Sequence, residues 1–195
     1  ILTVMKGRLV PFLMAIVVFY TPELRRAFSG TKRRGLFRSS QTSSSQLDSV
    51  LNACTNLVSK KRGALIVFPR NTDLKNIYES GTKLNADLSA NLILTIFDHD
   101  TPLHDGACIV CKDKILAAGA LLPLTDDPKL SWKYGTRHRA AIGLSEISDA
   151  ACLVVSEETG DISIAMDGLL KKYDDISNLR TDLLLILGLS DNNQN

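Results

Sequence analysis

The chain has three histidines, His99, His104 and His138, and all lie in two polar segments that interrupt an otherwise apolar pattern. These segments carry side chains suited to proton transfer, metal ligation and phosphate binding. In the first, FDHDTPLHDGA (97–107), Asp98, His99, Asp100, His104 and Asp105 crowd around Pro102, which keeps the stretch from forming a regular helix. Gly106 and Ala107 carry no bulk, so a ligand can approach the backbone there. Asp98, His99 and Asp100 read as a solvated turn. His104 and Asp105 are set directly against the apolar run that follows, and they read as functional.

The second segment is YGTRHRAAIGLSE (134–146). Thr136 is expected as the N-cap after Gly135, which puts Arg137, His138 and Arg139 in the first turn of a helix. Cations there oppose the positive end of the helix dipole. An anion would resolve the conflict, because unpaired N–H groups make the same place a phosphate site. A third segment, VVSEETG (154–160), ends an apolar strand with Ser156 and Glu157. A hydroxyl and a carboxylate can help to hold a phosphate and a divalent ion, a hard cation that prefers oxygen. Together these are parts for metal-assisted phosphoryl or nucleotidyl transfer. Spacing alone leaves the acceptor open.

The elements that must position these residues are legible from periodicity. Ser45 with Asp48 resembles a capping box, and Leu47, Val50, Leu51, Cys54, Leu57 and Val58 follow at helical spacing. GALIVF (63–68), stopped by Pro69, suits a central strand. Residues 87–97 read as a helix, 107–122 as a hairpin around Lys112-Asp113-Lys114, and 137–148 as a third helix. Residues 152–166 read as a hairpin turning at Glu158-Thr159-Gly160, and about 176–187 as a last helix. Hairpins alternating with single helices predict an α/β domain, a mixed β-sheet flanked on both sides by helices. Neither a GxGxxG nor a Walker-type loop occurs, so a nucleotide would be held in another way.

At 195 residues the chain holds one full-sized domain with a short appendage, and a net charge of +2 excludes a strongly basic nucleic-acid binder. Its four cysteines are irregularly spaced. Cys108 and Cys111 form a C-x-x-C within a strand, where they point to opposite faces, so core cysteines in a reducing compartment are expected rather than a zinc site. Residues 1–20 are strongly apolar but include Lys6 and Arg8. The uninterrupted run 9–20 would rise only about 18 Å as a helix, against roughly 30 Å of hydrocarbon. Arg25, Arg26, Lys32, Arg33, Arg34 and Arg38 follow closely, which places the remainder on the cytoplasmic side of a membrane. The expected organisation is a membrane-proximal segment at 1–38, the end of a transmembrane helix plus its basic exit. A Ser-rich linker at 39–45 and a catalytic domain at 45–190 follow.

TPLHDGA followed by GTRHRAAIGLSE and then VSEETG resembles the diadenylate cyclase domain, which condenses two ATP molecules into cyclic di-AMP with release of pyrophosphate. The resemblance runs from residue 63 to 165, and TPELRRAF (21–28) is similar to the exit segment of the membrane-bound class. It implies that Asp105 assists the 3′-hydroxyl of one ATP, directly or through a metal, in attacking the α-phosphate of the other. Gly106 and Ala107 would lie against the nucleotide, and Leu122, expected at the end of the second hairpin strand, would pack on adenine. Thr136, Arg137, His138 and Arg139 would hold phosphates, with Ser156 and Glu157 completing that side. His104, Asp105 and Glu157 would ligate manganese or magnesium. Two protomers must meet face to face, each presenting one ATP, so a monomer would be inactive. The resemblance also implies attachment to the cell membrane, with the catalytic domain in the cytoplasm. Its partners would be a membrane regulator and a phosphoglucosamine mutase, with no nucleic acid. The Asp98-His99-Asp100 cluster is more acidic and histidine-rich than the family pattern, and Trp132 and Tyr134 stand unusually before the G-T-R-H-R.

Two rivals remain at this level. A metal-dependent phosphohydrolase is suggested by the His-Asp dipeptides, although such sites draw ligands from separate helices. A catalytically inactive nucleotide sensor would keep the pocket without the chemistry.

Overall fold

Ala64–Phe68 (β1) is apolar at every position, the pattern of a strand covered on both faces, and all of it is buried. In the computed structural model, which describes residues 44–131 and 133–189, β1 lies at the centre of a seven-stranded sheet. The other strands are Thr82–Asp87 (β2), Ala107–Cys111 (β3), Lys114–Ala120 (β4), Ala151–Val155 (β5), Ile162–Met166 (β6) and Leu169–Tyr173 (β7). Their order is β2-β4-β3-β1-β5-β6-β7. β1 and β3 run parallel, with Ile66 opposite Cys108, and the other neighbouring pairs are antiparallel. The expected mixed sheet is therefore present.

Period-two alternation sends each strand's side chains to two cores. From β1, Ala64, Ile66 and Phe68 face one side with Leu153 and Val155 of β5. Leu65 and Val67 face the other with Cys152 and Val154. The first core is closed by helices α1 (Ser44–Ser59), α3 (Ala90–Ile96) and α6 (Ile176–Leu187), through Leu47, Val50, Leu57, Ile93, Leu179 and Leu183. The second is closed by α5 (Thr136–Ile147), through Ala141, Ile142 and Leu144. Two short helices, α2 (Lys75–Ser80) and α4 (Pro128–Ser131), complete the described elements. Helices thus flank the sheet on both sides, as the pattern predicts.

Two expectations change, and four elements were not anticipated. The helix expected over 87–97 is shorter: Asp87 ends β2, and α3 starts at Ala90, where the Ser89 side chain accepts the Leu92 N–H. Ser45, expected as a cap, already lies inside α1, and Asp48 pairs with Arg180 of α6 at 2.8 Å. β2, β7, α2 and α4 were not legible from the pattern.

All four cysteines are free. Cys54, Cys108 and Cys152 are buried, which pushes each thiol up to about 12. They pack in the two cores of the sheet. The described residues fall in the compact unit spanning 39–195, and none of their helices is long and apolar enough to cross a membrane. The membrane-proximal segment 1–38, most of the 39–45 linker and Trp132 lie outside the described residues.

Candidate active site

β1 and β3 begin, and β4 and β5 end, at the same margin of the sheet. Polar residues that could not be accommodated within these buried strands therefore converge there. They surround a cavity of about 870 Å³. Asp105 and Gly106 reach it from the loop before β3, Leu122 from the segment after β4, Thr136, Arg137 and His138 from the start of α5, and Ser156 and Glu157 from the end of β5. The three segments singled out in the sequence meet at one place.

Gly106 sits at φ +122, a conformation that L side chains rarely adopt. A Cβ there would also stand 2.7 Å from the carbonyl carbon of Gly119 and 2.9 Å from the Ala120 oxygen. The D-G-A turn thus seats the loop directly on β4 and leaves Asp105 at the cavity edge.

The N-cap of α5 is Gly135 in extended backbone, with no side-chain cap bond, and the first turn holds no acidic residue. Thr136, expected as the cap, is instead the first helical residue; the bend at Gly135 takes the cap position and leaves the threonine lining the cavity. An uncapped helix N-terminus facing a cavity offers free N–H groups to an anion.

Arg137 turns back across the cavity floor. Its Nη1 donates to Glu157 Oε2 at 2.9 Å and its Nη2 to the His104 carbonyl at 3.5 Å. Its Nε is buried without a partner. His138 stacks on Tyr134, with ring centroids 5.5 Å apart at 28°. Burial holds its pKa below the ordinary value, opposed by Asp161 and Glu158 and assisted by Arg137. The Ser156 hydroxyl accepts the Thr159 N–H, so it also shapes the β5–β6 turn.

Other expected residues lie apart from the cavity lining. Ala107 is buried within β3. Arg139 is not among the lining residues; its Nε is buried without a partner and its carbonyl accepts the Thr125 N–H at 3.1 Å. His104 contributes its backbone carbonyl to Arg137, while its Nδ1 contacts the Thr101 carbonyl and its ring meets His99 edge-on at 5.6 Å. Asp98 pairs with Arg62 at 3.7 Å and accepts the Asp100 N–H, as a turn residue would. Leu122 lies beyond the end of β4 rather than within it.

The pattern missed several lining residues: Leu121 and Leu124 at the apolar side, and Asp161 and Lys172, an ion pair at 2.9 Å, at the polar side. An exposed apolar pair broken by Pro123 was a usable signal for the first two. Nothing local marks the others.

Asp105 and Glu157 are oxygen donors on one cavity, a chemistry that suits a hard divalent cation. Among the described residues no group of three or more His, Cys, Asp or Glu comes together as a metal site. A cation bound here would complete its oxygen set from substrate phosphates, as magnesium commonly does.

A family model described as DAC, DisA bacterial checkpoint controller nucleotide-binding, matches residues 51–170. Over 160 residues the chain is 39% identical to cyclic di-AMP synthase CdaA of Bacillus subtilis (strain 168), covering 80% of this chain and 59% of that protein. It is 36% identical over 154 residues to the diadenylate cyclase of Mycoplasma pneumoniae, covering 77% of this chain and 76% of that one. Among solved structures, a double mutant of DacA from Staphylococcus aureus superposes with a TM-score of 0.71 at 42% identity, over 73% of this chain and 95% of that chain. A hypothetical membrane spanning protein from Bacillus cereus superposes with a TM-score of 0.65 at 36% identity, over 89% and 90%. Because the family match begins in α1 and ends in β7, enclosing the Asp105, Arg137 and Glu157 segments, the chain belongs to the DAC, or diadenylate cyclase, family.

Proposed function

We propose that the chain is a nucleotidyltransferase that condenses two ATP into cyclic di-AMP and two pyrophosphates across a face-to-face homodimer. The observation that carries this reading is the convergence of Asp105, Arg137, His138, Ser156 and Glu157 on one cavity at the uncapped start of α5. The chain spans 59% of the Bacillus subtilis relative's length, and that relative's name supports the reading.

In each half-reaction the 3′-oxygen of one ATP forms a bond to the α-phosphorus of the other, and the bond to the pyrophosphate oxygen breaks. Asp105, at the cavity edge, takes the proton from the 3′-hydroxyl. Arg137, the N–H groups of the first turn of α5 and Thr136 hold the phosphates, while His138 donates a hydrogen bond. Leu122, with Leu121 and Leu124, forms the apolar side against which adenine packs. A manganese or magnesium ion would be held by Asp105 and Glu157 together with the phosphates, and would supply neutralisation of charge on the triphosphate. Each cavity holds one nucleotide, so two copies must meet for both attacks, and positioning supplies much of the acceleration. Attachment to a membrane through residues 1–38, with the domain on the cytoplasmic side, belongs to the same reading and is supported by the description of the Bacillus cereus neighbour. Contacts with a membrane regulator or a phosphoglucosamine mutase rest on family resemblance alone.

The test is incubation of the purified chain with ATP and manganese or magnesium, with products identified by mass. Cyclic di-AMP and pyrophosphate, lost in Asp105→Asn, and a specific activity that rises with protein concentration are the expected results. ADP or AMP with phosphate would favour the phosphohydrolase, and bound but unchanged ATP would favour the sensor.

A further inference from the structure

Gly63 immediately precedes β1 and is buried, yet it does not line the cavity. Its φ lies outside the left-handed range, so backbone conformation does not require glycine there. Space does. A Cβ at this position would stand 2.6 Å from Arg137 Nη1, 3.1 Å from Arg137 Cζ and 2.9 Å from Glu157 Oε2. Those are the atoms of the 2.9 Å ion pair that closes the cavity floor. The guanidinium lies on the bare face of residue 63, and a methyl group there would press on both partners of the pair.

We propose that Gly63 is a positioning residue. By lacking a side chain it lets Arg137 of α5 cross to Glu157 at the end of β5, and so sets where the guanidinium stands relative to the phosphates. Arg137 links three separate segments through this contact: α5, the carbonyl of His104 in the loop before β3, and Glu157. The guanidinium is therefore the joint between the Asp105 loop and the phosphate side, and its position depends on the first residue before β1. The inference rests on the cyclase reading for its kinetic readout but not for its structural one.

Both colliding groups are the far ends of flexible side chains, so an added methyl displaces them rather than the backbone. Gly→Ala at a compatible φ also reduces the freedom of the unfolded chain. Gly63→Ala should accordingly fold with an unchanged cooperative transition, while its crystal structure shows Arg137 Nη1 and Glu157 Oε2 separated beyond ion-pair distance. Displacement of this size should lower the rate of cyclic di-AMP formation by on the order of tenfold to a hundredfold, mainly in kcat. In an Arg137→Ala background, where the displaced guanidinium is gone, adding Gly63→Ala should change the remaining rate by less than about twofold. A merely structural glycine would instead give losses that multiply.

The proposal is overturned if the pair persists in the Gly63→Ala crystal, if the two losses multiply, or if Gly63→Ala loses its cooperative unfolding. That last result would mean the backbone, not the pair, needs glycine. If the unsubstituted chain makes no cyclic di-AMP, the cyclase reading fails and the crystallographic distance alone decides whether Gly63 positions Arg137.

Discussion

Arg137, in the first turn of α5, reaches across the cavity floor to Glu157 at the end of β5, with 2.9 Å between Nη1 and Oε2. A second nitrogen of the same guanidinium touches the His104 carbonyl, so one planar group ties two loops together. Lysine would keep the charge but not the fork. Arg137→Lys should therefore lose cyclic di-AMP formation nearly as fully as Arg137→Ala, by on the order of a hundredfold in kcat for a lost phosphate donor. Steady-state assays on the two variants check this. Full activity in Arg137→Lys would reduce the role of Arg137 to charge alone.

His138 is half-buried under Tyr134, and burial holds its pKa below the ordinary value of 6.5 against the pull of Asp161 and Glu158. Between the folded value and 6.5 the unfolded chain binds more protons. Stability therefore falls as pH drops through that window and is unaffected above it. NMR titration of the His138 ring should give a midpoint below 6.5. Tyr134→Ala, which uncovers the ring, should move the midpoint upward.

The candidate-site segments were legible because they violate the patterns around them. Arginines at a helix start, a His-Asp pair against a buried strand and a Ser-Glu strand end each call for an explanation, and the fold brings all three to one cavity. The central strands were legible for the opposite reason, since β1 and β5 are apolar throughout. β2 and β7 were missed because they are edge strands. TKLNAD and LLKKY expose most of their side chains and carry no continuous apolar face. Arg139 and His104 share motifs with residues that reach the cavity, but in a helix or a tight loop adjacent residues point in different directions. Gly63 could not have been found at all, because its role is defined by Arg137 and Glu157, which are distant in sequence.

The segment after β4 lies directly on α5, and Gly143 makes that approach possible. A Cβ at 143 would stand 2.3 Å from the Pro123 oxygen and 2.6 Å from Leu124 and Thr125 backbone atoms. Thr125 is tied down there by its N–H to the Arg139 carbonyl and by its hydroxyl, which donates to Glu146 at 2.7 Å. Backbone cannot swing aside as a side-chain tip can, so Gly143→Ala must lift the strap and move Leu122 and Leu124 with it. Overpacking of this kind costs about 1–3 kcal/mol, partly offset by the ~1 kcal/mol gain in helix propensity. Urea denaturation should show a net loss, and ATP binding should weaken in the same variant.

Asp149, in the turn between α5 and β5, clamps the loop that leaves β1. One carboxylate oxygen accepts the Asn71 N–H at 3.0 Å and its side-chain amide at 2.8 Å, and the other accepts the Thr72 N–H at 2.9 Å. The Asp149 N–H in turn donates to the Thr72 hydroxyl at 3.3 Å. Burial pushes this carboxyl up, but the bonds from Thr72 and Asn71 together outweigh it and hold the pKa below 3.8. The stabilisation is therefore complete above 3.8 and is lost as pH falls through the lower folded value. Asp149→Ala frees two backbone donors and should cost about 1–2 kcal/mol at neutral pH, comparable to a lost helix cap. The difference from the unsubstituted chain should shrink in acid, because there the native carboxyl is protonated and the clamp is already open. Thermal unfolding at neutral pH and at successively lower pH measures both arms. A deficit that persists unchanged in acid would show that Asp149 acts by packing and not through its charge.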